Sequence, residues 1–229
     1  QNTGGNCSVH RGGNCADQKR CARTNCCASS QRFVLRPVVT PGVDGPTVIV
    51  LAAGQGERFK ASGATQDKLE ADLNGQRVRD HVMASVRASG LPWHVVERVD
   101  TLHLHNPGMG DSIACGVAAT PNAKGWLILP ADLPLIQAPT LLRVAQALQH
   151  HTVVVPFYED QKGHPVGFAP MCRDALMGLT GDKGASGVVA QHGFFRLAVQ
   201  DQGCVLDVDT LDALAHARTV LAQRIFSGD

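Results

Sequence analysis

The sequence predicts an α/β domain built on a mostly parallel sheet with helices on its faces, preceded by a segment of different composition. Two observations carry that prediction. From Thr47 onward, short β-branched runs alternate with helical patterns, as strands joined by helical crossovers do. Two of the runs, Thr-Val-Ile-Val-Leu-Ala at 47–52 and Gly-Trp-Leu-Ile-Leu-Pro at 125–130, are apolar at consecutive positions, the pattern of strands covered on both faces.

Taken in order, 47–52 is the first strand. Val78, Val82 and Val86 recur every fourth residue in a stretch without Gly or Pro, which predicts a helix over 77–89 that Gly90 ends. Strands are expected at 93–97 and 101–105, a short helix at 111–119, and the second buried strand at 125–130. Pro139 stands near the first turn of a helix over 139–150, and 152–156 returns to the sheet. Residues 163–209 mix short strands with helices at 172–179 and 185–192, and a terminal helix spans 210–224.

Composition narrows the function. Of 229 residues, 44% are hydrophobic and 18% charged, with a formal net charge of +1, so neither nucleic acid nor a membrane surface is the expected main partner. No apolar run approaches the roughly 18 residues of a membrane span, and the cytoplasm is the expected location. Cys7, Cys15, Cys21, Cys26 and Cys27 crowd a Gly-, Asn- and Ser-rich start that closes on a Pro-Gly turn run. Residues 1–45 read as a disordered Cys-rich leader and 46–229 as the domain. Those cysteines lack the paired C-x-x-C spacing of metal knuckles.

The chemistry concentrates at strand ends. Leu51-Ala52-Ala53-Gly54-Gln55-Gly56-Glu57-Arg58 follows the first strand, where α/β proteins bind ligands. Gly54 and Gly56 allow a turn whose backbone amides meet phosphate oxygens, and Arg58 adds charge. The third glycine of a dinucleotide fingerprint and the Gly-Lys-Ser/Thr of a Walker loop are missing. Asp132, at the end of the second buried strand, suits a divalent cation through oxygen ligands, and before Leu-Pro it also reads as the cap of a following turn or helix, the stronger reading without the other motifs. Asp207 and Asp209, two residues apart, project to one face of an extended segment, and either completes a two-carboxylate site; Asp209 or Thr210 serves equally as a helix cap.

Leu-Ala-Ala-Gly-x-Gly-x-Arg-Phe at 51–59 resembles the opening motif of the molybdenum cofactor cytidylyltransferase-like nucleotidyltransferases. Gly-Met-Gly-Asp-Ser at 108–112, Asp-Leu-Pro at 132–134, Gly163-His164-Pro165 and Asp-Val-Asp-Thr at 207–210 resemble later motifs of that family, in the same order, so the likeness runs over about 47–221.

The resemblance implies a Rossmann-like three-layer nucleotidyltransferase fold and magnesium-dependent transfer of CMP from CTP to a phosphorylated pterin, molybdopterin cofactor, with release of pyrophosphate. A molybdoenzyme or maturation factor is the implied downstream partner. The implied nucleotide residues are Leu51, Ala52, Ala53, Gly54, Gly56, Arg58, Lys68, Gly110 and Ser112; Arg58, Lys68 and Asp132 are the implied catalytic set. Gly163, His164, Pro165 and Asp182 fall on the implied acceptor side, and Asp132 with Asp207 or Asp209 on the metal. Ala53, where guanylyl relatives carry glycine, implies CTP. The chain departs from the family in a longer gap between Arg58 and Lys68, which leaves Lys60 a second candidate for the lysine role, and in a short stretch over 97–106. A guanylyl or sugar-phosphate transferase, or a non-catalytic nucleotide-binding chaperone, are the alternatives.

Overall fold

The computed structural model describes residues 45–227. Residues 1–44, with the five leader cysteines, lie outside the described residues.

The chain begins with β1 (Thr47–Ala52), a short α1 (Glu57–Ala61), and a 3-10 turn at Lys68–Glu70. A hairpin of β2 (Asp72–Leu73) and β3 (Gln76–Arg77) leads into α2 (Val78–Ala88), β4 (Trp93–Glu97) and α3 (Arg98–Thr101). Then come α4 (Met109–Ala119), β5 (Trp126–Pro130), α5 (Ala138–Ala147), β6 (Val153–Tyr158), β7 (Gln161–Lys162) and β8 (Val166–Phe168). The chain closes with α6 (Arg173–Met177), α7 (Ser186–His192), β9 (Phe195–Val199) and α8 (Leu211–Ser227).

The main sheet runs β4-β1-β5-β8-β6, with β7 and β9 also paired to β6. β4, β1 and β5 are parallel, as are β6 and β9, whereas β8 is antiparallel to both of its neighbours. The longer strands are therefore parallel, with two short reversed strands, β7 and β8, where the chain doubles back after β6.

Alternation along β1 and β5 makes the three layers. Val48, Val50, Leu127 and Leu129 face one core with Val82 and Val86 of α2, Val144 of α5 and Leu214 of α8. Ile49, Trp126 and Ile128 face the other with Ile113 and Val117 of α4, Leu176 of α6 and Val188 of α7. The consecutive apolar runs are thus explained by helices on both faces. Among the described residues, no helix is long and apolar enough to cross a membrane.

One expected strand is absent. Residues 101–105 do not extend the sheet; the chain turns out of β4 directly into α3. A reciprocal cap explains it. Asp100 accepts a hydrogen bond from the Glu97 amide at 2.8 Å while Glu97 caps the other end of the same turn, which nucleates a helix before a strand can continue. Leu102 is then 75% exposed, where a core strand would have buried it.

Candidate active site

The loops after β1 and β5 leave the carboxyl ends of adjacent parallel strands, and between them opens a cleft of about 590 Å3. Its first wall is the loop 53–56 and the start of α1. Gly56 has φ +64, a left-handed conformation that favours glycine, and the stem of Lys68 lies over it, 3.6 Å from where a Cβ would stand. Leu51, Ala53, Gly54 and Gly56 line the cleft, together with Arg58, whose side chain is 82% exposed.

The floor holds Lys68, Asp132 and Asp209, and Arg58 reaches them from the first wall. Lys68 Nζ donates to Asp132 Oδ2 at 2.5 Å and to Asp209 Oδ1 at 2.8 Å, and Arg58 Nη1 lies 2.7 Å from the other Asp209 oxygen. Burial works against the Lys68 charge, but the two carboxylates, Asp132 foremost, outweigh it and hold the ammonium above the usual lysine range. For Asp209, partial burial favours the neutral acid, yet Lys68 and then Arg58 hold the carboxyl below its ordinary value. Lys60 is exposed on α1, so the added residues before Lys68 do not hand it the cleft position. They instead run out toward α8, where Ser62 Oγ accepts from the Leu211 amide at 3.1 Å.

A backbone bond explains why carboxylates 77 positions apart meet. The Val208 amide donates to the Asp132 carbonyl at 2.9 Å, laying the 207–209 segment beside the end of β5. Thr210 caps α8 through its hydroxyl, which accepts from the Ala213 amide at 3.1 Å, so Asp209 is free to face Lys68. Asp207 is the more exposed of the acidic pair; partial burial, then the charges of Asp209 and Asp132, push its carboxyl up.

The donor set fits a hard divalent cation. Among the described residues no group of three or more His, Cys, Asp or Glu side chains is arranged to hold a metal. Two convergent carboxylates, now sharing one ammonium, match a magnesium-type ion that takes one or two protein oxygens and completes its shell with water and phosphate.

The opposite wall is the N-terminus of α4, whose unpaired amides favour an anion. Gly108 and Ser112 line the cleft there; Ser112 is buried and its hydroxyl donates to the Gly108 carbonyl at 3.1 Å. Gly110 is buried against the backbone of Thr180 and Gly181. Asp111 Oδ2 accepts from the amides of Gly108 and Gly181, both at 2.8 Å, and so ties the turn bearing Asp182 to the helix start. Asp182 lines the same cleft.

Gly163, His164 and Pro165 are placed differently. They connect β7 to β8, with Gly163 and Pro165 buried and the amides of Gly163 and His164 donating to Pro156 and Cys204 carbonyls. A side chain at 163 would meet Cys204 Sγ at 2.6 Å, so glycine there serves packing. The three do not line the cleft, although Asp132 is near enough to His164 to oppose the fall in its pKa caused by burial. Ala52 turns its side away with β1 and lines a second, smaller hollow beside β4. Burial raises the thiols of Cys115, Cys172 and Cys204, the last to about 12, which leaves them poor nucleophiles.

Sequence reading missed Asp111 as a residue that builds the site. A carboxylate three residues after a helix-capping position was the available signal for Asp111.

Residues 48–196 match the MobA-like NTP transferase domain family. The bifunctional protein GlmU of Xylella fastidiosa is 28% identical over 145 residues; these are 56% of this chain, which spans about 30% of the length of that relative. Two solved structures share the fold. A nucleotidyl transferase from Methanothermobacter superposes with a TM-score of 0.64 at 18% identity, covering 79% of this chain and 99% of the other. Rv0371c of Mycobacterium tuberculosis in complex with manganese gives 0.57 at 24% identity, covering 76% and 98%.

Proposed function

We propose, for a chain that belongs to the MobA-like NTP transferase domain family and is therefore a nucleotidyltransferase, that it transfers CMP from CTP to the terminal phosphate of molybdopterin cofactor in the cytoplasm. The observation that carries the reading is Lys68 between Asp132 and Asp209, packed beside the 53–58 loop in the cleft. The volume is in the range of small-molecule sites, roughly 300–1,000 Å3.

In the proposed reaction an oxygen of the acceptor phosphate forms a bond to the α-phosphorus of CTP. The bond from that phosphorus to the bridging oxygen breaks, and pyrophosphate leaves with the electron pair. The attacking phosphate is already ionised at neutral pH, so no general base is required. The protein's task is position and charge. The amides of the 53–56 loop and Arg58 receive the leaving phosphates, and Lys68, drawn from the carboxylates, follows the negative charge. Asp132 and Asp209 would hold magnesium, which supplies Lewis-acid neutralisation of the phosphates when bound.

Ala53 supports the choice of CTP, because its methyl group lines the cleft where a purine needs room. Asp182, whose turn is tied to the start of α4 through Asp111, is the cleft residue offered to the acceptor, while Gly110 and Ser112 of α4 stay on the nucleotide side. A molybdoenzyme or its maturation factor would take the product.

The test is pyrophosphate release from CTP, GTP, ATP and UTP with Mg2+ and purified molybdopterin cofactor, comparing the wild type with Asp132→Ala. CTP-selective release that the substitution removes is the expected result. GTP-selective release would move the base assignment, release with a sugar phosphate alone would move the acceptor, and no release from folded protein would leave a binding role.

A further inference from the structure

We propose that Arg98 is a positioning residue for nucleotide binding, which holds the peptide between Gly54 and Gln55 with its N–H turned to the substrate phosphates. This rests on the reading of the cleft as a nucleoside triphosphate site.

Arg98 is the first residue of α3, and the Glu97–Asp100 cap fixes where its side chain starts. Its guanidinium makes two bonds to one carbonyl: Nη2 donates to Gly54 O at 2.7 Å and Nε to the same oxygen at 3.2 Å. Nη2 also donates to Asp67 Oδ2 at 2.7 Å. The other Asp67 oxygen accepts from the Leu69 amide at 3.0 Å and so starts the turn that carries Lys68. The Lys68 stem in turn covers Gly56. A single cation therefore joins the loop after β1 to the turn that delivers the cleft lysine.

The direction of the peptide is the functional consequence. In a planar trans peptide the carbonyl and the following N–H point opposite ways. Gly54 and Gln55 line the cleft, whereas Arg98 stands outside its walls. Drawing the Gly54 oxygen outward to Arg98 turns the Gln55 N–H inward. Without the guanidinium that peptide is free to rotate, and a carbonyl dipole facing a triphosphate repels it. A lysine substitutes only in part, since an ammonium is a point charge without the planar fork that grips one oxygen while reaching Asp67.

The test compares the wild type, Arg98→Met and Arg98→Lys by amide NMR during Mg–CTP titration and by steady-state kinetics. In the wild type the Gln55 amide on one wall and the Ser112 amide on the other both shift. In Arg98→Met the Gln55 response is lost while that of Ser112 remains, and KM for the nucleotide rises about tenfold to a hundredfold with a smaller change in kcat. Arg98→Lys, which keeps charge and stem, shows the same loss in part and serves if the methionine variant fails to fold. Retention of both the Gln55 shift and the wild-type KM in the variants overturns the positioning role. A wild type in which neither amide responds to any nucleoside triphosphate instead overturns the triphosphate reading, and this proposal with it.

Discussion

The ammonium of Lys68 stands 2.5 Å from Asp132 and also 2.8 Å from Asp209, the two carboxylates proposed to hold the divalent cation. On that proposal ammonium and metal would compete for the same oxygens, so Lys68→Ala is expected to bind Mn2+ more tightly than the wild type in the absence of nucleotide. The same variant should release pyrophosphate at least about tenfold more slowly, having lost a charge that follows the phosphates. Titration of free Mn2+ by electron paramagnetic resonance reads the first effect. Equal affinity in the two proteins would sink the competition.

The acidic pair separates by role. Asp209 shares Lys68 with Asp132, whereas Asp207 is more exposed and has no part in that bridge. Asp209→Asn is expected to lower kcat on the order of a hundredfold, the scale of losing one group that stabilises transition-state charge. Asp207→Asn should stay within about threefold of the wild type. Kinetics in which the two substitutions cost the same would contradict the assignment.

Stability should depend on pH through the same carboxylate. The Asp209 carboxyl is held below its ordinary value by Lys68 and Arg58, so its contribution is present above the unfolded pKa, about 4. It is lost as pH falls through the lower folded value. Lys68 works in the other sense: its raised pKa gives a contribution that is complete below about 10.5 and fades as pH climbs past the folded value. Urea midpoints of the wild type and Asp209→Asn, measured from pH 7 down to pH 3, are expected to differ most at neutral pH and to converge in acid. A gap that widens in acid would reverse the sign.

Gly108 is required by close approach. A Cβ there would stand 2.3 Å from the carbonyl carbon of Gly181 and 2.4 Å from Asp182 Oδ1, and backbone cannot yield as a flexible side-chain tip does. Gly108→Ala should destabilise the fold by about 1–3 kcal/mol, in the manner of overpacking, and push the Asp182 turn off α4. Denaturant unfolding together with the KM for the acceptor checks this; an alanine variant with wild-type values for both would show that the turn has room.

Local pattern accounts for what was legible. From Val48 on, the runs at β1 and β5 are apolar at consecutive positions because helices cover both faces of the sheet, and the every-fourth valines of α2 face one core. The loop after β1 and Asp132 after β5 could be placed at strand ends for the same reason. The expected strand at 101–105 failed because a two-residue capping exchange between Glu97 and Asp100 outweighs β-propensity in a short segment.

By itself the sequence determined the layered α/β class, the strand ends that would carry chemistry, and the acidic residues available there. Tertiary structure decided which of them meet. The reversed β8, the bond from the Val208 amide to the Asp132 carbonyl, the choice of Asp209 over Asp207 as the partner of Lys68, and the hold of Arg98 on Gly54 join residues far apart in the chain. Periodicity reports which face of an element is apolar, but a contact between distant polar groups leaves no periodic trace. It exists once the packed sheet brings their backbones together and the cost of desolvating each charge is offset by the partner it finds.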